Sequence, residues 1–290
     1  MNHDIILAIA LPVTLFCIMF SMGTNLTPAD FKAVLQNPKP VLTGIAAQMV
    51  LLPLLAWLLL SPLGLPAEIF VGFMILALSP GGTTSNLFSW FAGGNLPLSI
   101  SLTAVVSLIT PFTIPLIGGW ILASAAGLNA EIHLPLGQTI MKLLVVTVLP
   151  VALGMLLRRY RESFCVRHEF WMARIPFIML LLVIGGIIYQ NLEKMPWFIS
   201  QTGFPALLLA TLALAAGYLF ARAMKQSERN ARTIAIETSI QNGGTAILVT
   251  GTILHNQTMT IAPVMYGILM LLPMFAYLLW LNRKRTATAI

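Results

Sequence analysis

The run IETSIQNGGTAILV, residues 236–249, sets a carboxylate, an amide pair and two glycines inside otherwise apolar sequence. Glu237 is the only carboxylate expected well inside such a run, with Gln241 and Asn242 four and five residues further on. Ionisable groups in that setting are costly and mark functional sites. Other oxygen-bearing side chains share the pattern. Gln48 lies mid-run, Ser85 and Asn86 follow the stretch SPGGTTSN, and Ser99, Thr103, Ser107 and Thr110 step by 4, 4 and 3 along one helical face. One carboxylate, several neutral oxygens and carbonyls freed by broken helices suit a hard monovalent cation such as Na⁺. Soft-metal ligation is not indicated: no Cys/His cluster exists, and His3, His133, His168 and His255 fall near run ends or in loops. Hydrolytic chemistry fares no better, without an intramembrane Asp pair or a His placed to activate a Ser. The expectation is a protein that is not an enzyme and carries no cofactor.

The elements that hold these residues follow from composition. Of 290 residues, 58% are hydrophobic and 9% charged, against about 25% charged in soluble domains, and the mean hydropathy is +0.90. Runs of about 20 apolar residues suffice to cross ~30 Å of hydrocarbon as helix. The reading is an all-α polytopic membrane protein with nine transmembrane helices, at about 4–24, 40–61, 68–92, 97–124, 135–158, 169–191, 203–224, 230–254 and 260–281. The net charge of +7 does not indicate nucleic acid, because the basic residues gather in short loops. RRYRESFCVRH, ARAMKQSERNAR and the tail NRKR lie on one side of this layout, and among the 16 Lys and Arg only Lys142 and Lys194 lie on the other. The positive-inside rule then places the N-terminus outside and the C-terminus in the cytoplasm, in the inner (plasma) membrane. Cys17 and Cys165 offer neither a disulfide framework nor a metal spacing.

The tripeptide GGT occurs at Gly81-Gly82-Thr83 and again at Gly243-Gly244-Thr245, each time inside an apolar span and beside polar residues. Paired interruptions in corresponding spans of two halves point to a transporter built from inverted repeats. The two spans lie five steps apart, which inverts one against the other. The halves match as 4+5 spans, 1–126 and 127–290, the first lacking its opening helix. Broken helices leave backbone groups that only a protein-lined cavity tolerates, where helix N-termini face anions and carbonyls face cations.

At these residues the chain resembles the bile acid:sodium symporter family over essentially its whole length. IMFSMGTNLTPADF, AAQMVLLP, LSPGGTTSNLFSWFAGGNLPLSISLTAVVSLITP and IETSIQNGGTA carry the likeness. The resemblance implies two broken, crossing helices, with a core domain (about 40–124 and 203–281) moving against a panel domain (about 4–24 and 135–191). It implies one sodium site at Ser85, Asn86, Ser99, Thr103 and Glu237. A second is implied at Gln48, Glu237 and Gln241 with the carbonyls of Thr238 and Ile240. Substrate, a small organic anion, is expected near Thr83 and Asn242. The glycine that the resemblance leads one to expect after the glutamate is Ser239 here, with Thr238 before it. Rival expectations are a proton-coupled or uncoupled carrier of the same fold, and a membrane receptor that binds without transport.

Overall fold

The computed structural model describes residues 6–36, 38–124 and 136–288. His3, His133 and the expected repeat boundary at 126/127 lie outside them. Among the described residues the regular structure is helical, with one isolated β-bridge, Gly81 to Gln241. The helices are α1 (Leu11–Thr24), α2 (Pro28–Gln36), α3 (Pro38–Leu63), α4 (Ala67–Ala77), α5 (Thr83–Phe91) and α6 (Leu96–Ser124). They continue with α7 (Leu136–Tyr160), α8 (Glu162–Gln190), α9 (Met195–Ala223), α10 (Glu228–Ser239), α11 (Gly243–Ile253), α12 (Gln257–Leu269) and α13 (Leu271–Thr288). Among the described residues, six continuous stretches are long and apolar enough to cross a bilayer: α3, α6, α7, α8, Leu192–Ala223 around α9, and Gln257–Arg283 over α12 and α13. The chain is an integral membrane protein.

Proline placement shapes several of these helices. Wide π-turns at Ile6–Ala10, Ala47–Leu51 and Leu144–Val148 immediately precede Pro12, Pro53 and Pro150. A proline ring collides with the carbonyl four residues back and offers it no N–H. In each case that carbonyl falls inside the widened turn, which absorbs the insult without breaking the helix. The turn at Ala47–Leu51 is also the one that carries Gln48.

The basic run RRYRESFCVRH, expected as a loop, is almost wholly helical. Arg161 alone separates α7 from α8. Helices extend past the apolar run because their ends, once in the interface, keep satisfying backbone groups with their own ladder.

Close helix approaches form two groups. In one, α1 packs against α7 and α8. A Cβ on Gly23 would strike the Val151 carbonyl, and one on Gly154 the Phe20 carbonyl, so α1 and α7 meet backbone to backbone. In the other group, Gly72 seats α4 on the Met259 carbonyl of α12, and Gly217 seats α9 on Ala235 and Thr238 of α10. The groups touch where Leu15 of α1 fills the space beside Gly244 of α11.

Candidate functional site

Two helices break, and the breaks meet. The backbone between α4 and α5 contains Pro80, which has no N–H, while α10 ends at Ser239 with Ile240 extended. At the meeting point Gly82 N donates to Ile240 O at 3.2 Å and Asn242 N to Pro80 O at 2.9 Å. Each break thus satisfies polar groups of the other, which removes much of the cost of unpaired backbone in a membrane. Gly81 stands opposite Gln241. A Cβ there would run into Glu237 Oε2 and Gln48 Nε2, so the glycine lets these side-chain tips lie against the backbone; its φ is not what requires it.

The register of the breaks differs from the sequence echo. Gly82 is the cap of α5, whereas Asn242 is the cap of α11, its Oδ1 accepting from Thr245 N at 3.1 Å. Gly243 and Gly244, expected to break the helix, are its first two residues. The break is instead Ile240 to Asn242. The Asn242 side chain satisfies a free N–H of the first turn, so the helix starts directly after it.

Glu237, on the last turn of α10, is 1% exposed. Its Oε1 accepts from Ser85 Oγ of α5 at 2.5 Å and from Ser99 Oγ of α6. Its Oε2 accepts from Thr103 Oγ1 at 3.0 Å. Among the described residues no Lys or Arg pairs with it: Arg232 turns away to Glu228 and to the Ala92 carbonyl. An anion buried without a countercation is costly. The Ser/Thr stripe of α6 divides here, since Ser99 and Thr103 reach the carboxylate while Thr110 bonds back to the Ser107 carbonyl at 3.4 Å.

Two amides hold the backbone at the same residue. Gln48 Nε2 donates to the Glu237 carbonyl at 2.8 Å, and Gln241 Nε2 to the Glu237 and Thr238 carbonyls at 3.2 and 2.9 Å. These bonds fix both amide orientations and leave Gln48 Oε1 and Gln241 Oε1 buried without a donor; Asn86 Oδ1 is in the same position. Buried acceptors normally find partners. Among the described residues, three amide oxygens without donors, one of them beside Ser85 in sequence, and a carboxylate without a cationic partner fit a cation that brings charge and accepts lone pairs. The expected carbonyls remain eligible, because Thr238 O holds one donor and Ile240 O another, leaving each a lone pair. Thr83 and Asn242 sit at the starts of α5 and α11, beside the crossing.

Several supports were not legible in the sequence. Ser239 Oγ donates to the Ala210 carbonyl at 2.9 Å, and Tyr266 Oη to the Ser239 carbonyl at 2.7 Å. They pin the end of α10 to α9 and α12, so Ser239 links these helices. Ser89 Oγ, 3.2 Å from Ser99 Oγ, backs the carboxylate's partner. Neither Ser89 nor Tyr266 stands out in an apolar run, and only the fold brings them in.

Broken helices crossing around a buried carboxylate, in a membrane-spanning helical chain, define a transporter-like architecture. A family model described as the Sodium Bile acid symporter family matches residues 12–195, and the chain belongs to that family. The match covers the first break; Glu237 and the second break lie beyond it. The chain is 29% identical over 240 residues to the uncharacterized sodium-dependent transporter YocS of Bacillus subtilis, covering 80% of this chain and 71% of that one. It is 29% identical over 244 residues to the ileal sodium/bile acid cotransporter of Oryctolagus cuniculus, covering 82% and 68%. A third relative, the Arabidopsis thaliana protein "Probable sodium/metabolite cotransporter BASS1, chloroplastic", is 29% identical over 229 residues, covering 77% of this chain and 54% of that one.

Proposed function

We propose that the chain is a secondary active transporter coupling sodium entry to the uptake of a small organic anion by alternating access. The observation that carries this reading is a buried carboxylate, Glu237, with no cationic partner among the described residues, together with Gln48 Oε1 and Gln241 Oε1, which lack donors there while their amide nitrogens hold the end of α10, and Asn86 Oδ1, also without a donor, one residue after the carboxylate's partner Ser85. Ser85, Asn86, Ser99, Thr103 and Glu237 form one sodium site. Gln48, Glu237, Gln241 and the carbonyls of Thr238 and Ile240 form the other. Two cations against one shared carboxylate leave net positive charge, which attracts a monoanion to Thr83 and Asn242, where two helix N-termini converge. Sodium and anion then raise each other's affinity by the same factor.

In this reading nine segments cross the membrane: the six long stretches, α1, and the pairs α4–α5 and α10–α11. They form inverted repeats 1–126 and 127–290. The core (about 40–124 and 203–281) moves against the panel (about 4–24 and 135–191), with Leu15 and Gly244 at the moving contact. The plasma membrane holds the chain with its N-terminus outside. The names of the relatives, which share sodium and differ in bile acid or metabolite, support the coupling ion more than any one substrate.

The test is uptake into proteoliposomes of a panel of radiolabelled organic anions, from bile acids to small carboxylates, under an inward sodium gradient. Accumulation that collapses when sodium is equalised supports symport. Accumulation driven by a proton gradient at equal sodium would reassign Glu237 to proton exchange, and saturable binding without flux would make the chain a receptor.

A further inference from the structure

Two asparagines at opposite ends of the crossing pair play the same structural part. Asn95 caps α6, its Oδ1 accepting from Leu98 N at 3.2 Å, and its Nδ2 donates to Asn230 Oδ1 on the first turn of α10 at 2.9 Å. Asn256 caps α12, its Oδ1 accepting from Met259 N at 3.0 Å, and its Nδ2 donates to Glu68 Oε1 on the first turn of α4 at 2.8 Å. Each asparagine follows one broken helix and ties it to the start of the other.

The likeness extends inward. Four residues past each asparagine is a hydroxyl, Ser99 or Thr260, that meets another ten residues earlier: Ser89 at 3.2 Å and Thr250 at 3.1 Å. Gly82 and Asn242 cap α5 and α11, so matching positions differ by 160 at the breaks and by 161 at the asparagines. The extra residue is absorbed by the π-turn Leu248–Ile253 inside α11. A π-turn is how a helix carries one residue more than its counterpart.

We infer that Asn95 and Asn256 are positioning residues that set the axial register of α10 and α4, and through those helices the register of the crossing. On the Asn256 side there are two successive contacts between α4 and α12. The Glu68–Asn256 hydrogen bond is followed one turn on by the seat of Gly72 on the Met259 carbonyl. On the Asn95 side the Asn230 bond is followed by Thr233, whose Oγ1 accepts from Asn95 N at 2.7 Å and packs on Gly94. A rigid helix held at its outer end cannot slide. Sliding α4 would carry Pro80 and Gly82 away from Asn242 and Ile240, and sliding α10 would carry Glu237 away from Ser85. The hydrogen bonds that Asn95, Asn230, Asn256 and Glu68 make among the described residues do not go to the Glu237 carboxylate. The inference deepens the cation reading only in saying what holds the ligands in place.

A donor swap tests it. Asn256→Asp keeps a good cap but sets a carboxylate against Glu68. Adding Glu68→Gln restores a hydrogen bond, the new amide at 68 donating to the new carboxylate at 256. Amide hydrogen exchange in KCl is followed in the segments that contain Gly82 and Asn242, with the sodium concentration for half-maximal stabilisation measured alongside. Asn256→Asp is expected to speed exchange at the crossing by about tenfold, the scale of losing a charged hydrogen bond, and to raise the half-maximal sodium concentration. The double variant is expected to return both toward wild type. Asn256→Ser, which keeps the cap without reaching Glu68, should fall between. Unchanged exchange at Gly82 and Asn242 in Asn256→Asp, or a double variant as fast as the single one, overturns the inference. If wild type shows no sodium response but the exchange cycle closes as described, the cation reading fails and the positioning role stands.

Discussion

Glu237→Gln removes a charge and almost no volume, so it isolates electrostatics. In the wild-type site the carboxylate accepts from three hydroxyls and faces no cationic side chain among the described residues. Those hydroxyls can rotate to accept from a new amide, so the variant should fold. Without sodium it should be the more stable protein, because the cost of an unpaired buried carboxylate disappears. With sodium the order should reverse. A unit charge about 4 Å from a cation, at an effective dielectric of about 20, is worth about 4 kcal/mol. Losing it weakens each cation site about a thousandfold. At about one hundred times its Kd, sodium stabilises the wild type by about 2.7 kcal/mol. The variant, with sites a thousandfold weaker, gains almost nothing. Thermal unfolding in detergent, in NaCl and in KCl at equal ionic strength, reads both effects. Wild type should melt about 5 °C or more higher in NaCl, Glu237→Gln should not respond, and in KCl the variant should melt above wild type. Equal sodium-specific rises in the two proteins would refute the shared-carboxylate reasoning.

The two sites can be separated. Asn86→Ala and Gln241→Ala each delete one amide oxygen that lacks a donor, so each should weaken a different site and lower the Hill coefficient for sodium-driven uptake from near two toward one. A Hill coefficient unchanged in both would argue for a single cation. At the crossing, Gly81→Ala places a methyl against the tips of Glu237 and Gln48. Those tips can swing aside, so the fold should survive while both cation sites lose ligands. Sodium affinity should fall by about tenfold or more. A variant with wild-type sodium response would mean that the side chains at the crossing do not coordinate the ion.

Composition and run length alone made this a membrane protein, because nothing else accommodates so many apolar spans with so few charges. The carboxylate was equally legible: Glu237 inside an apolar run with Gln241 four residues on has few bland explanations. Local sequence could not say where the helices break, since the repeated GGT drew attention to Gly243-Gly244, which are helical, while Asn242 does the capping. Nor could it pair Gly81 with Gln241, or bring Ser85, Ser99 and Thr103 to a carboxylate more than a hundred residues away. Hydroxyls along apolar helices look alike until packing decides which face meets a charge. The ties from Asn95 to Asn230 and from Asn256 to Glu68 belong to the same class. A residue's type limits what it can bond, but only the tertiary structure supplies its partner, because a hydrogen bond needs two groups within about 3 Å and sequence distance says nothing about that.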